Sequence, residues 1–311
     1  MMQSSGAAVE ALSLTKSYGR AAARGIVEVD LVLAAGEVLG LVGANGAGKT
    51  TLMRTMLDFI RPTSGSLRIL GMDSVADAVR IRRRVSYLPG ELVFPARLTG
   101  RQAVARYLAA RPEVKDTRVD KLATDLDLDL TRPVGDLSRG NKQKLGLLLA
   151  FAPRVELLVV DEPTSGLDPL LQRLFASMIR DATAEGASVL LSSHVMSEVE
   201  QIARRVALMR EGRLVSVETM SEILARGRRR GRVRPSEPAS GQELAADLRR
   251  TTGVDEVAVL DGGDHDGLVV FAATGDVNPL LATLSRHALA SFDLAHADLE
   301  DAFFGPGQVG S

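Results

Sequence analysis

Cysteine is absent from all 311 residues. That excludes thiolate zinc sites, iron–sulfur clusters and thiol nucleophiles, and it suits a reducing compartment. Neither sign of charge is in excess: 38 Lys plus Arg stand against 39 Asp plus Glu, a formal net charge of -1. A chain whose main task is coating nucleic acid carries a basic surplus, so no nucleic-acid partner is expected. Long hydrophobic runs are missing too. The longest, Leu145 to Ala152, falls far short of the roughly 18 residues a membrane-spanning helix requires. The opening MMQSSGAAVEALSLTKSYG has neither the charged nor the apolar region of a signal peptide. The expected location is the cytoplasm, with any membrane span supplied by another polypeptide.

What is present is globular: 45% hydrophobic, 25% charged and only 4% aromatic residues. This length allows one large domain or two smaller ones, and it buries about three quarters of the unfolded surface without a disulfide or metal staple.

From about residue 8 to 217, short β-branched or Leu-rich runs alternate with helical patterns, the rhythm of an α/β domain. Val9–Leu14 and Val29–Leu33 read as a small antiparallel edge, and Val38–Val42 as a buried strand before a helix from about Lys49 to Leu57. Val85–Leu88, Leu157–Val160, Val189–Ser192 and Val206–Arg210 are further strands, the last turning tightly at Glu211-Gly212 into Leu214–Val217. Residues 98–130 carry helical stretches without a strand, a helical subdomain within about 90–145. Residues 218–240 include Arg226, Arg228, Arg229, Arg230, Arg232, Arg234 and two prolines. They read as a solvated linker running into an edge strand, in preference to a nucleic-acid or anionic-lipid surface. Residues 241–311 then read as a small α+β domain. With a strand near 231–234, the order βαββαβ matches the ferredoxin-like motif.

Gly43-Ala44-Asn45-Gly46-Ala47-Gly48-Lys49-Thr50 fits the P-loop pattern between an apolar strand and a helix. Its glycines allow consecutive backbone amides to converge on phosphate oxygens, and the helix start adds a positive dipole end. Gly43, Asn45, Gly46, Ala47, Gly48, Lys49, Thr50 and Thr51 are therefore the candidate nucleotide-binding residues. Lys49 reaches the β and γ phosphates, and the Thr50 hydroxyl is a Mg2+ ligand. The run Leu157-Leu158-Val159-Val160-Asp161-Glu162 carries two acids to the C-terminal end of a buried strand. There Asp161 can face Mg2+, and Glu162 can align and deprotonate a water.

Between and after these elements lie Leu137-Ser138-Arg139-Gly140-Asn141-Lys142-Gln143-Lys144-Leu145, Ser165-Gly166-Leu167-Asp168 and Ser192-Ser193-His194. With these motifs in this order, residues 8–217 resemble an ATP-binding subunit of an ABC transporter. The resemblance implies an α/β P-loop ATPase with an antiparallel β edge and a helical subdomain. It implies Mg2+-dependent ATP hydrolysis in a head-to-tail dimer, each ATP lying between one copy's P-loop and the other copy's signature segment. Ser138 and the Gly140 amide would then meet the γ-phosphate in trans. Asp168 would belong to the loop coupling the two sites, His194 would contact the γ-phosphate, and Tyr18 would stack on adenine.

Two departures stand out. The usual signature has Gly and Gln where this chain has Arg139 and Asn141. In Tyr87-Leu88-Pro89-Gly90-Glu91 the family's Mg2+-ligating glutamine is replaced by Gly90, which has no side chain to ligate with. Glu91 is the neighbouring carboxylate that could stand in, and it would repel the phosphates unless Mg2+ neutralised it. The segments YLPGEL, LSRGNKQKLGL and Asp298-Leu299-Glu300-Asp301-Ala302-Phe303-Phe304 further resemble bacterial daunorubicin- or antibiotic-resistance exporters. That implies two copies peripheral on the inner face of the cell membrane, working with a separate transmembrane permease. Export of a lipid or polysaccharide precursor, a soluble ABC ATPase acting on ribosomes or DNA, and an ATP-binding regulatory module are the alternatives. Phe303 and Phe304 are expected to close an amphipathic C-terminal helix.

Overall fold

In a computed structural model of the chain, the structure describes residues 6–19, 25–111, 118–163, 167–226, 229–260 and 267–296. Ser165, Gly166, Arg228 and the segment from Asp298 to Phe304 lie outside them. Two compact units form, Met1–Glu218 and Thr219–Ser311.

The first unit begins with β1 (Ala7–Lys16), β2 (Ile26–Ala34), β3 (Val38–Val42) and α1 (Lys49–Met56). Next come β4 (Ser64–Ile69), β5 (Met72–Asp73), α2 (Ala78–Arg84), β6 (Val85–Leu88), α3 (Gly100–Ala109), α4 (Val119–Asp125) and α5 (Arg139–Phe151). It closes with β7 (Leu157–Asp161), α6 (Pro169–Ala184), β8 (Ser188–Ser193), α7 (Met196–Glu200), β9 (Arg205–Arg210) and β10 (Arg213–Thr219). A four-stranded sheet runs β2-β1-β4-β5 and a six-stranded sheet runs β10-β9-β3-β8-β7-β6. The antiparallel edge expected from the first two strands therefore has a third main member, β4, paired with β1. Only Leu67 and Ile69 of β4 are buried, too short an alternation to recognise in the sequence.

Strands β3, β7 and β8 are buried along their whole lengths. That is why their central residues, Val38–Val42, Leu157–Val160 and Val189–Leu191, read as short runs without polar side chains, as parallel strands covered on both faces do. Their register positions the chemistry. Val42 lies opposite Ser193, Asp161 opposite Ser192, and Leu88 opposite Val160, all in parallel pairs. The segments that follow β3, β6, β7 and β8 consequently leave the sheet at one edge, the carboxyl end where open α/β sheets bind ligands. Across the sheet, Glu211 and Gly212 both take positive φ, 52° and 78°. Such a pair suits a two-residue hairpin loop matched to strand twist.

The second unit contains α8 (Met220–Arg226), β11 (Arg229–Pro235), α9 (Gly241–Arg249), β12 (Val254–Leu260), β13 (Leu268–Ala273), α10 (Asn278–Leu284) and β14 (Leu289–His296). Its strands lie in the order β12-β13-β11-β14, with each neighbouring pair antiparallel. The Arg-rich stretch differs from the expected linker and edge strand. It supplies a helix and an interior strand, β11, flanked by β13 and β14. Gly231, Val233 and Pro235 are buried while Arg230 and Arg232 are exposed. The arginines thus occupy the solvent side of a period-2 strand, and their polarity masked the buried half.

Gly231 is required there. A Cβ at this position would lie 2.0 Å from Phe271 Cζ, and Phe271 belongs to the unit's core cluster. Gly231→Ala is expected to destabilise this unit by about 1–3 kcal/mol through overpacking. Urea unfolding followed by circular dichroism would show it, and an unchanged midpoint would contradict it.

Candidate active site

The loop after β3 is shaped by its glycines. Gly46 and Gly48 take φ of 84° and 106°, a region open to glycine at little cost. A Cβ on Gly43 would fall 2.4 Å from the Met209 carbonyl oxygen. Gly48 caps α1 without a side-chain hydrogen bond. The first amides of that helix are thereby left without an intrahelical partner and suited to an anion.

Lys49 is only 4% exposed. Its Nζ donates to the carbonyls of Gly43 at 2.6 Å and Ala44 at 3.3 Å, and it lies 3.2 Å from Glu162 Oε1. The Glu162 carboxylate also faces His194, with Oε2 3.4 Å from Nδ1. Lys49, Glu162 and His194, far apart in sequence, are thus brought into one row. Glu162 carries a positive φ of 45°, a conformation costing a non-glycine residue about 1–3 kcal/mol. Its amide donates to Ser192 Oγ at 3.0 Å, and Ser192 Oγ donates to Asp161 Oδ1 at 2.7 Å. One hydroxyl therefore fixes both acids. On the next strand end, Val195 N donates to Ser193 Oγ at 2.9 Å, and that hydroxyl donates to Glu198 Oε2 at 2.7 Å. These two bonds hold the peptide that bears His194.

A cavity of about 1050 Å³ is lined by Tyr18, Gly25, Asn45 through Thr51, Arg54, Gly90, Glu91, Arg139, Asp161 and Glu162. It lies at the upper end of the range for small-molecule sites. Tyr18 is half-exposed, with Lys16 Nζ 5.4 Å from its ring centroid. Glu91 shares the cavity, whereas a Cβ at Gly90 would come within 3.3 Å of the Asp161 carbonyl oxygen. The backbone at residue 90 therefore rides directly on the end of β7.

Of the expected residues, Gly43, Ser138, Gly140, Asp168 and His194 are not among those lining this chain's cavity, although Lys49 donates to the Gly43 carbonyl and His194 faces Glu162. Ser138 caps α5, accepting from Asn141 N at 3.2 Å, and the Cβ position of Gly140 faces open space. Asp168 caps α6 by accepting from Leu171 N at 2.9 Å.

The structure adds three side chains that sequence reasoning had given no role. Ser192 stands in the sequence only as the first residue of Ser192-Ser193-His194. Arg54 falls four residues after Thr50 on α1, a spacing that shares one helix face. Tyr87 is the third. Burial, with the Asp161 charge second, pushes its phenol up to about 12, against the nearby Arg54 cation, which lowers it.

Comparison with known proteins bears on this arrangement. The family model described as "ABC transporter" matches residues 26–165. The bacitracin transport ATP-binding protein BcrA of Enterococcus faecalis is 33% identical over 224 residues, 71% of this chain and 72% of that protein. The Nod factor export ATP-binding protein I of Paraburkholderia xenovorans is 29% identical over 318 residues, spanning 96% of both chains. A solved structure described as an ATP binding subunit of an ABC transporter superposes with a TM-score of 0.65 at 27% identity, covering 69% of this chain and 91% of that one. The expected α/β P-loop architecture, the order of the motifs and these relatives agree: the chain belongs to the ABC transporter family as an ATP-binding, ATP-hydrolysing subunit.

Proposed function

We propose that two copies of this chain close head to tail on two ATP molecules and drive export of an antibiotic or other hydrophobic compound through a separate membrane permease. The observation that carries this reading is the incompleteness of the site in one chain. Lys49 and Glu162 line the cavity and His194 lies against Glu162, while of the signature segment only Arg139 lines it and Ser138 and Gly140 do not. A second copy is the natural supplier of those groups.

The donor set suits a hard cation. Asp161 is buried, and Thr50 lines the same cavity. Among the described residues, no group of three or more His, Cys, Asp or Glu could hold a metal ion. A cation here would complete its shell from nucleotide phosphates and water, as Mg2+ does. When bound, Mg2+ would offset charge on the phosphates. Glu91 is left as a cavity-lining acid in this reading, with no metal role assigned.

ATP phosphates arriving at the loop would compete with Glu162 for Lys49. Release of that ion pair would free the Glu162 carboxylate to take a proton from water as the water oxygen attacks the γ-phosphorus. The bond to the β–γ bridging oxygen breaks, and that oxygen departs with ADP. His194, 3.4 Å from Glu162, would contact the γ-phosphate, while Tyr18 would stack on adenine and Asp168 would tie the two sites together. Catalysis is mostly positioning and charge stabilisation. Loss of the γ-phosphate removes the bridge between copies and reopens the dimer.

A separate permease is supported by an apolar groove of about 290 Å³ beside this site, lined by Leu92, Val93, Phe94, Leu98, Tyr107 and Leu149 among others. No helix among the described residues is long and apolar enough to cross a membrane. Bacitracin transport in a relative supports an antibiotic cargo.

A deletion strain tested against hydrophobic and peptide antibiotics should become about fourfold or more sensitive to at least one, a shift of roughly 1 kcal/mol in apparent potency. Wild-type protein should restore resistance, and Lys49→Ala should not. Unchanged susceptibility with altered surface lipid or polysaccharide would favour the second reading, export of such a precursor. The match to an export protein along 96% of both chains supports that alternative.

A further inference from the structure

We propose that Gln143, on α5, is a positioning residue for the Glu162 carboxylate, tying down the chain just behind that residue so that its side chain stays turned toward the phosphate loop. The proposal rests on the reading of Glu162 as the group that takes the proton from water.

Glu162 sits in a backbone conformation it would not keep alone. Its φ of 45° is one that a non-glycine residue holds only where its surroundings over-determine it. On the upstream side its own amide donates to Ser192 Oγ at 3.0 Å. On the downstream side comes Pro163, which is buried and, having no N–H, can be hydrogen-bonded only through its carbonyl. Gln143 Nε2 donates to that carbonyl at 3.1 Å. Glu162 is thus pinned between two side-chain hydrogen bonds, one to β8 and one from α5. Without the second, the chain after Glu162 can turn and φ can relax toward the ordinary range. The carboxylate would then swing away from Lys49 and His194, which it meets at 3.2 and 3.4 Å.

The amide has a firm support. Helix α5 begins in the signature segment, where Ser138 caps it by accepting from Asn141 N at 3.2 Å. On the turn after Gln143, Gly146 lets the helix lie close to the end of β6. A Cβ there would come 2.5 Å from Leu92 Cδ1 and 3.1 Å from Leu88 Cδ1. Residues three apart share a helix face, so the face that packs against β6 also carries the amide to the chain leaving β7. Gln143 is uncharged as well, and it fixes the base without disturbing the charge balance between Glu162 and Lys49.

The test measures steady-state and single-turnover ATP hydrolysis by the full chain. Gln143→Met keeps the length of the side chain and removes the donor. Its kcat should fall by about three- to tenfold, the rate equivalent of one neutral hydrogen bond, with KM for ATP within about twofold of the wild type. Gln143→Lys, which keeps a donor at similar reach, should recover most of that loss. Because the effect runs through Glu162, it should vanish in a Glu162→Gln background, where adding Gln143→Met leaves the residual single-turnover rate unchanged. Thermal unfolding verifies that each variant is folded. Wild-type kcat in Gln143→Met overturns the proposal. A loss of the same size in Gln143→Lys, or an equal loss in both backgrounds, makes Gln143 a packing residue and overturns it too. If Glu162→Gln by itself hydrolyses ATP at the full rate, the reading of Glu162 as the base fails, and the proposal falls with it.

Discussion

Glu162→Gln should bind ATP but barely turn it over. Steady-state phosphate release is expected to fall by about 10²–10⁴-fold, the contribution of a positioned general base. The substitution is isosteric, so packing at the end of β7 should survive. What changes is chemistry: an amide cannot take the proton from water. Removing the negative charge beside Lys49, 3.2 Å away, also leaves that ammonium freer for phosphate. ATP affinity should be retained or increased, and the closed dimer should accumulate because the bridging γ-phosphate is no longer cleaved. Light scattering with ATP and with ADP would separate the outcomes. A dimer seen with ATP alone supports the reading, whereas full turnover in the variant would show that another group is the base.

Lys49→Ala should fail earlier, at binding. The ammonium is almost completely buried and held by two loop carbonyls as well as by Glu162. Its deletion removes charge-assisted bonds to phosphate worth about 1.5–3 kcal/mol, or roughly 10–100-fold in ATP affinity. Turnover should fall further, because the transferred phosphoryl group loses its cation when charge develops. Glu162 would also lose its partner in a half-buried setting. Lys49→Arg is not expected to rescue activity, since a planar fork cannot occupy the space of a point donor packed against Gly43. Isothermal titration with ATP checks the binding step, and an affinity equal to the wild type would remove Lys49 from the phosphate site.

Much of this was legible locally. The P-loop could be read because its glycines, lysine and threonine must follow one another within eight residues for backbone amides to close on phosphate. Asp161 and Glu162 were legible because an unbroken apolar strand delivers them to a sheet edge. The hairpin at Glu211-Gly212 was legible because few residue pairs accept two positive φ values. Less visible were β4, whose buried face has only two apolar residues, and β11, where arginines fill the solvent face and hide an interior strand.

Sequence by itself determined the chemistry on offer: a phosphate loop, a carboxylate pair, a histidine after a strand, and a signature segment in the order one family uses. Those patterns are short-range, so covalent spacing alone preserves them. Only the tertiary structure decided which of them meet. Parallel register set Asp161 against Ser192 and put Tyr87 beside Val159, and the pairing of strands about 150 residues apart brought Lys49, Glu162 and His194 together. Pairing between distant strands is chosen by burial of whole sheet faces, and no local periodicity records that choice.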